Sequence, residues 1–477
     1  MSDTYWPTIG LEIHAELATN TKMFCNSKND SNEKRPNSNV CPVCMAHPGT
    51  LPVINREAVR HVLRVGTAVG AHLADYTEFD RKNYFYPDLP KGYQLSQYEY
   101  PLVRGGELAG ITLTRVHLEE DTASSMHDEE SGETVIDYNR AGVPLMELVT
   151  EPVIHSAEEA GRFARELQLL LRYLGVSEAN LEKGEMRVEA NISVGKGGHL
   201  GTKVEIKNLN SFNAMERAVR YEIQRQTALL ERGERVIQET LGWDEKKQST
   251  FPQRIKEGSA DYRYFPDPDL PSLKLSEVAG YDESSLRASL PELPSERRQR
   301  YIAKGVKAED AELYTREPRF GDLYDLATTG LDETTAVLAN NLIANDLVKI
   351  VRDIEERDSE TLIVLPISPN FLKEISSMFS GGELSSRSAK DLLMLCIQEK
   401  GTPRELALAH GLMRTNDSAQ MASVVEAVIA EHATIATEYR EGKEKALEFL
   451  LGQSMRALKG AGDPVALRSL LKEKLKV

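Results

Sequence analysis

Residues 6–17 read WPTIGLEIHAEL, and this stretch decides the fold of the first half of the chain. Apolar and polar side chains alternate along it, with Ile9, Leu11 and Ile13 on one face and Glu12, His14 and Glu16 on the other. A period of two is typical of a β-strand with one buried face. The sequence therefore predicts a sheet whose polar face carries two carboxylates and an imidazole.

Three further stretches predict strands of the same sheet. Residues 111–121 (ITLTRVHLEED) form one candidate, and residues 187–194 (RVEANISV) alternate cleanly. Residues 202–209 (TKVEIKNL) follow after the glycine-rich link 195–201. A short glycine-rich link between two alternating stretches indicates a hairpin, so we expect a mainly antiparallel sheet.

Two helices of the first half have recognisable ends. Ser156 with Glu159 predicts a capping box, and Gly175 ends the apolar stripe that follows. Ser211 can cap a second helix that ends near Gly233. Strands together with long helices predict an α+β fold for this half.

The second half of the chain predicts helices. Proline-rich stretches at 265–271 (FPDPDLP) and 290–294 (LPELP) place a domain boundary near residue 290. Residues 333–357 have a helical pattern, and a weaker boundary falls near residues 401–403. We therefore expect a first domain over 1–290, an all-α domain over 291–402 and a small helical tail over 403–477.

The tail predicts a helix–turn–helix. Its helices are expected at 443–459 and 465–475, with Asp463 at the N-cap and Pro464 at the first helical position. Residues 441–477 carry a net charge of +3 in a chain of net charge −16.

Composition excludes several classes of protein. Of the 477 residues, 40% are hydrophobic and 28% are charged, which is typical of a globular protein. The net charge of −16 excludes a wholly basic nucleic-acid coat protein, although a local basic patch could still bind nucleic acid. We expect no transmembrane segment, no signal peptide and no membrane partner. Four cysteines predict no disulfide scaffold, so the expected location is the reducing cytoplasm.

The polar strand faces carry the most chemistry. They bring Glu12, His14, Glu120, Glu189 and Glu205 to one domain. A cluster of carboxylates repels itself unless cations neutralise it, and carboxylates with one imidazole suit Mg²⁺ or Mn²⁺ better than zinc. Such an ion usually carries nucleotide phosphates, and the interspersed cations Arg187, Lys203 and Lys207 would contact them. For each strand taken alone, the alternative interpretation is that its polar face is simply exposed to solvent.

The segment 80–102 is rich in tyrosine, phenylalanine and proline. It predicts an ordered loop that lines a ligand site, with Lys82 contacting phosphate or clamping the substrate. Its aromatic rings could stack on a nucleobase. An ordinary structural meander is the alternative.

The cysteines leave two alternatives open. Cys41 and Cys44 form a Cys-x-x-Cys motif, and Cys25 lies upstream. Three thiols are one ligand short of a closed zinc site, and His47 could supply the fourth. The alternative is a set of buried reduced thiols or a decayed metal site.

Ordered motifs along the whole chain resemble the B subunit of the aspartyl/glutamyl-tRNA amidotransferases. The matching stretches lie at 9–17, 48–55, 80–97, 117–122, 137–152, 184–193, 201–212, 260–271 and 452–464. The resemblance implies a glutamine synthetase-like cradle followed by helical domains. No glutaminase signature and no P-loop is present in the sequence.

The resemblance also implies a reaction. ATP would phosphorylate the side-chain carboxylate of misacylated Glu-tRNA(Gln) or Asp-tRNA(Asn), and ammonia would then displace the phosphate. The chain would be part of a carbon–nitrogen ligase with glutamine as amido donor. Its partners in a heterotrimer would be the glutaminase, or A, subunit and the small C subunit, and the tail would contact tRNA. A tRNA-docking protein without chemistry and a Mg²⁺-dependent hydrolase are the alternative functions.

Residue roles follow from the matched motifs. Glu12, His14 and Glu120 would be metal ligands with Glu119 as a neighbour, and Glu189 would be a further ligand. Lys82 and Glu147 would act in catalysis at the metal–ATP site. Lys82, Arg187, Lys203 and Glu205 would contact the nucleotide. One position departs from the zinc-containing members, because Ser27 stands where they carry a second cysteine.

Overall fold

The computed structural model describes residues 5–128, 131–255, 262–357, 364–414, 418–458 and 462–476. It divides into two compact units, Met1–Pro294 and Ser295–Val477. The further division predicted near residue 402 stays a prediction. Each unit is described by itself below.

The first unit is built on a large, mostly antiparallel sheet. In spatial order the main path runs β15–β14–β13–β12–β1–β11–β8–β6–β2, and β7 pairs with β8. Of the described pairings, only β13 with β14 is parallel. The strands are β1 (Tyr5–Glu16), β2 (His72–Leu73), β3 (Tyr76–Thr77), β4 (Asp80–Asn83), β5 (Tyr93–Ser96), β6 (Val103–Arg104), β7 (Glu107–Leu108), β8 (Ile111–Glu120), β9 (Ser124–His127), β10 (Thr134–Asp137), β11 (Pro144–Thr150), β12 (Met186–Lys196), β13 (Val204–Leu209), β14 (Glu239–Asp244), β15 (Ser249–Ile255), β16 (Phe265–Pro266) and β17 (Leu273–Lys274).

Strand β1 lies in the middle of this sheet and pairs with β11 on one side and β12 on the other. Its apolar residues Ile9, Leu11 and Ile13 are fully buried in the core of the first unit. The alternating polar residues point to the opposite face of the sheet. The strand predicted from residues 6–17 is therefore confirmed, as is the hairpin that joins β12 and β13.

Helices cover the apolar face of the sheet. Ser156 caps α2 by accepting the N–H of Glu159, and Ser211 caps α3 in the same way. The reciprocal half of the predicted capping box is shifted, because the Glu159 carboxylate accepts the N–H of His155 instead. The helical segments of this unit are α1 (Arg56–Ala68), α2 (Ala157–Tyr173), α3 (Phe212–Glu231), the 3₁₀ turn Leu275–Glu277 and α4 (Glu283–Ala288).

The second unit is helical in its described residues. Two separate hydrophobic clusters hold it together, one formed by residues 301–412 and one by residues 421–475. The predicted helix over 333–357 is interrupted by a π-helical turn, Leu342–Leu347. The helices are α5 (Pro294–Ala303), α6 (Ala308–Arg316), α7 (Pro318–Thr328), α8 (Glu333–Asn341), α9 (Val348–Arg357), α10 (Pro369–Ser380), α11 (Ser386–Gln398), α12 (Pro403–Ala409), α13 (Ser418–Glu431), α14 (Ala433–Arg440), α15 (Lys445–Ala457) and α16 (Pro464–Leu475).

The tail pair α15 and α16 forms as predicted. Asp463 caps α16 by accepting the N–H groups of Val465 and Ala466, and Pro464 opens the helix. Residue 459 of the predicted helix and residues 460–461 of the predicted turn lie outside the described residues. A sheet-based first unit followed by helices confirms the α+β fold class. No described helix has the length and apolar character needed to cross a membrane.

Candidate active site

Strand register gathers the polar residues of four different strands on one face of the sheet. Glu12 of β1 lies opposite Glu189 of β12, and His14 lies opposite Glu147 of β11. Glu147 in turn lies opposite His117 of β8. Side chains of directly paired residues stand close together on the same face. Three strand pairings therefore build a site from segments that are far apart in sequence.

The centre of this face is an acidic–imidazole cluster, formed by Glu12, His14, His117, Glu119 and Glu147. Glu147 Oε2 lies 3.4 Å from His14 Nε2 and 3.3 Å from His117 Nε2. Glu119 contacts both imidazoles at 3.8 and 3.9 Å, and Glu12 lies 3.9 Å from His14. Buried carboxylates and imidazoles thus alternate around a common centre.

The carboxylates and imidazoles of the cluster shift one another's pKa values. Burial opposes the charged form of His117, but Glu147 and Glu119 outweigh it and raise the pKa of His117 to about 9. Burial also raises the pKa of Glu147, whereas the facing His117 and His14 hold it well below its ordinary value. The pKa of Glu12 is raised, first by burial and then by repulsion from Glu147 and Glu189. The cluster therefore contains three carboxylates and only two imidazoles, which leaves an excess of negative charge.

The donor atoms of the cluster fit a hard divalent cation. Ligand atoms of Glu12, His14 and Glu147 lie within 4.8 Å of one another, and so do those of His117, Glu119 and Glu147. Carboxylate oxygens with few nitrogens suit Mg²⁺ or Mn²⁺, and such an ion would replace the imidazole protons as the neutralising charge.

A buried hydrogen-bond acceptor also supports the interpretation of the cluster as a cation site. Asn191 Oδ1 is buried beside the cluster and has no hydrogen-bond partner in the described structure, although it lines the cleft above the sheet. A buried carbonyl oxygen without a donor costs free energy unless a ligand or ion completes it.

Three members of the cluster, Glu12, His117 and Glu147, line the floor of a cleft of about 670 Å³ in the first unit. Cationic side chains line the same cleft: Lys82, Arg115, Lys203 and Lys207. An open cleft that joins a carboxylate floor to four cations can hold a polyphosphate together with its metal ion.

Lys82 stands on β4 and faces the cluster. Burial opposes its charge, but Glu119, Tyr264 and Glu147 raise its pKa above the ordinary range. Its ammonium group lies 5.2 Å from the ring centroid of Tyr262 and 6.0 Å from that of Tyr84. Lys82 is therefore held protonated between carboxylates and aromatic rings.

Glu205 and Glu189 lie on the β12–β13 side of the cleft. Lys207 Nζ contacts Glu189 at 2.7 Å and Glu205 at 3.8 Å. Glu205 also accepts the hydroxyl of Thr240 on β14 at 2.8 Å. Lys203 is exposed on the same side and lines the cleft. The structure thus brings these predicted nucleotide-site residues to one wall, next to the acidic–imidazole cluster.

Arg187 lies on the other side of the cluster. It binds Asp121 at 2.9 Å, and the carboxylate of Asp121 also lies 3.6 Å from Arg140. Arg187 is therefore engaged in an ion-pair network that ties β12 to the end of β8, and it does not line the described cleft.

Glu120 points away from the cluster, which departs from its predicted place among the metal ligands. Its carboxylate binds Lys91 Nζ at 2.7 Å and accepts the N–H of Leu95 at 3.0 Å. Successive residues of a strand point to opposite faces, so only one of two adjacent glutamates can face His14. The structure gives that position to Glu119, which also accepts the hydroxyl of Ser96 at 3.0 Å.

Three cysteines form a separate thiol cluster, consisting of Cys25, Cys41 and Cys44. Their sulfur atoms lie within 4.8 Å of one another, and His47 is not part of this group in the described structure. The polar neighbours of Cys44 are instead Ser27 Oγ and Lys22 Nζ, each at 3.8 Å. Neither neighbour is a fourth cysteine or a histidine, so the described donor set does not complete a closed four-ligand zinc site.

Some site residues escaped the sequence analysis. His117 and Arg115 alternate with apolar residues on β8, so the period-two pattern contained the signal for both. Asn191 occupies the same face of β12 as Glu189, again by alternation. Tyr262 and Tyr264 carry no pattern of their own, since only tertiary structure brings them beside Lys82.

Comparison with known proteins gives a consistent result over the whole chain. The family model described as GatB/GatE catalytic domain matches residues 7–279, and the model described as GatB domain matches residues 328–475. The chain is 45% identical to a protein of Thermomicrobium roseum over 98% of both chains. It is 45% identical to a protein of Thermus thermophilus over 99% of this chain and 100% of that one. Both relatives are named as the B subunit of aspartyl/glutamyl-tRNA(Asn/Gln) amidotransferase.

Proposed function

The chain belongs to the GatB/GatE family, and from this premise we propose that it is the B subunit of an ATP-dependent tRNA amidotransferase. Its substrates are Glu-tRNA(Gln), Asp-tRNA(Asn) or both. Its partners in a heterotrimer are the A subunit, which is a glutaminase and supplies ammonia, and the small C subunit. The complex works in the cytoplasm, and the basic end of the tail, residues 441–477, contacts the tRNA.

One observation carries the proposal: three members of the acidic–imidazole cluster and four cationic side chains line a single cleft. A pure RNA-docking surface would be basic, because it must contact phosphates. A floor of buried carboxylates is instead suited to a metal–nucleotide complex. A hydrolase that only activates water has no use for Lys82, Lys203 and Lys207 around the same floor.

The chemistry requires activation of a carboxylate. A carboxylate resists attack by ammonia because it has no good leaving group. Transfer of the γ-phosphoryl group of ATP to the side-chain oxygen gives an acyl phosphate and ADP, and ammonia then displaces phosphate to form the amide. The carboxylate–phosphoryl encounter brings several negative charges together, so cationic groups must surround it.

Different residues of this chain contact different parts of the substrates during phosphoryl transfer. Lys82 is half-buried and protonated at the edge of the cluster, where it contacts the transferred phosphoryl group or the acyl phosphate. Lys203, Lys207 and Arg115 hold the remaining phosphates of ATP in the open part of the cleft. Glu205 and Thr240 fix the wall against which the nucleotide lies.

Glu12, His14 and Glu147, or His117, Glu119 and Glu147, would hold Mg²⁺ or Mn²⁺. Glu189, opposite Glu12, would be a further ligand. A bound divalent ion neutralises charge on the phosphates during transfer. Glu147 holds both imidazoles in place, and Arg115 fixes Glu147 from the solvent side at 3.4 Å.

Amide formation on misacylated tRNA tests this proposal. The assay contains the chain with its partner subunits, ATP, Mg²⁺ and ammonium chloride in place of glutamine. Ammonium bypasses the glutaminase, so the measured chemistry belongs to this chain. We expect RNA-dependent ADP release and formation of the amidated aminoacyl-tRNA. Tight tRNA binding without either product would leave only a docking role and would overturn the assignment of the cleft.

A further inference from the structure

The thiol cluster lies outside the catalytic cleft and plays no part in the proposed reaction. Cys44 is the central member: its sulfur lies 3.9 Å from Cys41 Sγ and accepts the backbone N–H of Cys41 at 3.1 Å. Cys25 contributes a third thiol within the same group. At this separation, two of the three thiols could form a disulfide after a small movement of their side chains.

Lys22 makes the cluster unusual, because its side chain is fully buried. Its ammonium group donates to the carbonyl of Tyr138 at 3.1 Å and contacts Cys44 Sγ at 3.8 Å. Burial lowers the pKa of Lys22, and the neighbouring Cys44 sulfur opposes that effect. The geometry therefore places a buried lysine amine directly against the sulfur of Cys44.

Further contacts surround the sulfur of Cys44. The Cys41 N–H donates to it at 3.1 Å, and Ser27 Oγ lies 3.8 Å from it. Donors grouped around one sulfur favour its anionic form.

A cavity gives small molecules access to the sulfur atoms. It has a volume of about 230 Å³ and is lined by Cys25, Cys44, His47, Lys91 and Glu120, among others. Cys44 itself is only 5% exposed, so a large reagent is excluded whereas a peroxide-sized molecule can approach.

We propose that Cys44 is an oxidation-sensitive nucleophile whose sulfenic acid is resolved by Cys41 to a disulfide, with hydrogen peroxide as the oxidant. In the first step the Cys44 thiolate attacks one peroxide oxygen, the O–O bond breaks, and hydroxide leaves and takes up a solvent proton. In the second step Cys41 sulfur attacks Cys44 sulfur, the S–O bond breaks, and the leaving hydroxide takes the Cys41 proton as water. Both thiols are oxidised and one peroxide is reduced.

The disulfide changes the surroundings of Lys22. It removes the anion beside a buried ammonium and leaves Lys22 with the Tyr138 carbonyl. The α-carbon of Gly142, at the turn that leads into β11, faces this cluster, because a side chain built there would stand 3.5 Å from Cys44 and 3.6 Å from Lys22. Oxidation therefore acts on the turn that leads into the strand carrying Glu147. The proposal rests on the thiol geometry and not on the amidotransferase function.

Peroxide treatment of the full-length protein followed by peptide mass spectrometry tests it. Cys41 and Cys44 lie on one tryptic peptide, residues 35–56, so their disulfide appears as a loss of two hydrogens that a dithiol reductant restores. We expect this loss at peroxide levels that leave Cys396 of the second unit reduced, since burial raises the pKa of that thiol to about 11. Zinc content is measured on the same untreated sample.

Variants separate the roles. In the double variant Cys25→Ser/Cys41→Ser, which leaves Cys44 as the one thiol of the cluster, the sulfenic acid at Cys44 should persist and be trapped by dimedone, whereas Cys44→Ser should lose both signals. Lys22→Met should slow oxidation about tenfold, and the exposed, Asp30-paired Lys28→Met is the matched control. If Lys22→Met does not fold, trapping in Cys25→Ser/Cys41→Ser decides alone. An untreated protein that carries one equivalent of zinc, or a Cys44 that stays reduced while Cys396 reacts, would overturn the proposal.

Discussion

His14 Nε2 and Glu147 Oε2 lie 3.4 Å apart on adjacent strands of the first unit, although 132 residues separate them in the chain. This pair organises the site. Glu147 holds His14 on one side and His117 on the other, and Arg115 binds its second oxygen. Every other member of the acidic–imidazole cluster contacts one of these two imidazoles.

Glu147→Gln tests the centre of the cluster. The substitution keeps the shape of the side chain and removes the charge that holds His14 and His117. We expect ammonium-dependent amide formation to fall by about a hundredfold or more, because several preorganised groups lose their common partner. Binding of misacylated tRNA should be unchanged. The surface substitution Glu182→Gln is the control, and an activity for Glu147→Gln within twofold of that control would contradict the central role.

Glu119→Gln and Glu120→Gln distinguish two adjacent glutamates. Glu119 faces His14, so its loss should weaken Mn²⁺ binding by about tenfold or more, measured by titration with paramagnetic detection. Glu120 faces Lys91, so its substitution should keep Mn²⁺ affinity and lower the free energy of unfolding by about 2 kcal/mol. If Glu120→Gln weakens Mn²⁺ binding and Glu119→Gln does not, then Glu120 is the metal ligand, as the sequence predicted.

The sequence predicted those parts of the site that lie within one strand. Alternation along β1 placed Glu12 and His14 on one face, and the structure confirms that arrangement. Helix ends at Ser156, Ser211 and Asp463 were also predictable, because capping is local chemistry.

What depends on pairing between strands could not be predicted from periodicity. Strand β11 is buried on both faces over most of its length, so it shows no alternation, and Glu147 entered only through the family resemblance. The choice between Glu119 and Glu120 depends on the register of β8 against β11, which local sequence does not determine. Lys22 carried no signal either, since only the folded chain brings it to Cys44.

A substitution at Asp325 tests an ion-pair network in the second unit. It accepts from Arg300 at 2.7 and 3.0 Å and from the Tyr301 hydroxyl at 3.0 Å. Burial raises the pKa of Asp325, but these donors outweigh it and depress the pKa below its ordinary value. Asp325→Asn should therefore lower stability at pH 7 by about 1–2 kcal/mol.

The sign of the pH dependence follows from the depressed pKa. The contribution of Asp325 is fully present above the ordinary carboxyl pKa of about 4 and is lost as the pH falls through the depressed value. Hydrogen exchange over residues 295–330 should show a difference between wild type and Asp325→Asn at pH 7 that shrinks toward pH 3 or so. The exposed Asp353→Asn is the control, and a difference that grows in acid would contradict the assignment.

Lys82 provides the sharpest test of the phosphoryl-transfer step. Burial lowers the pKa of both Lys82 and Lys207, and the strongest opposing influence is Glu119 for Lys82 but Glu189, at the wall of the cleft, for Lys207. Lys82→Met should reduce RNA-dependent ADP release by about a hundredfold, because the developing phosphoryl charge loses a preorganised partner. Lys82→Arg keeps the charge but presents a planar fork in place of a compact ammonium, so it should recover only part of the rate. The exposed Lys183→Met is the matched control, and ATP and tRNA affinities are measured on every variant. If Lys82→Met releases ADP at the control rate, the phosphoryl group is held elsewhere in the cleft and Lys207 becomes the residue to test.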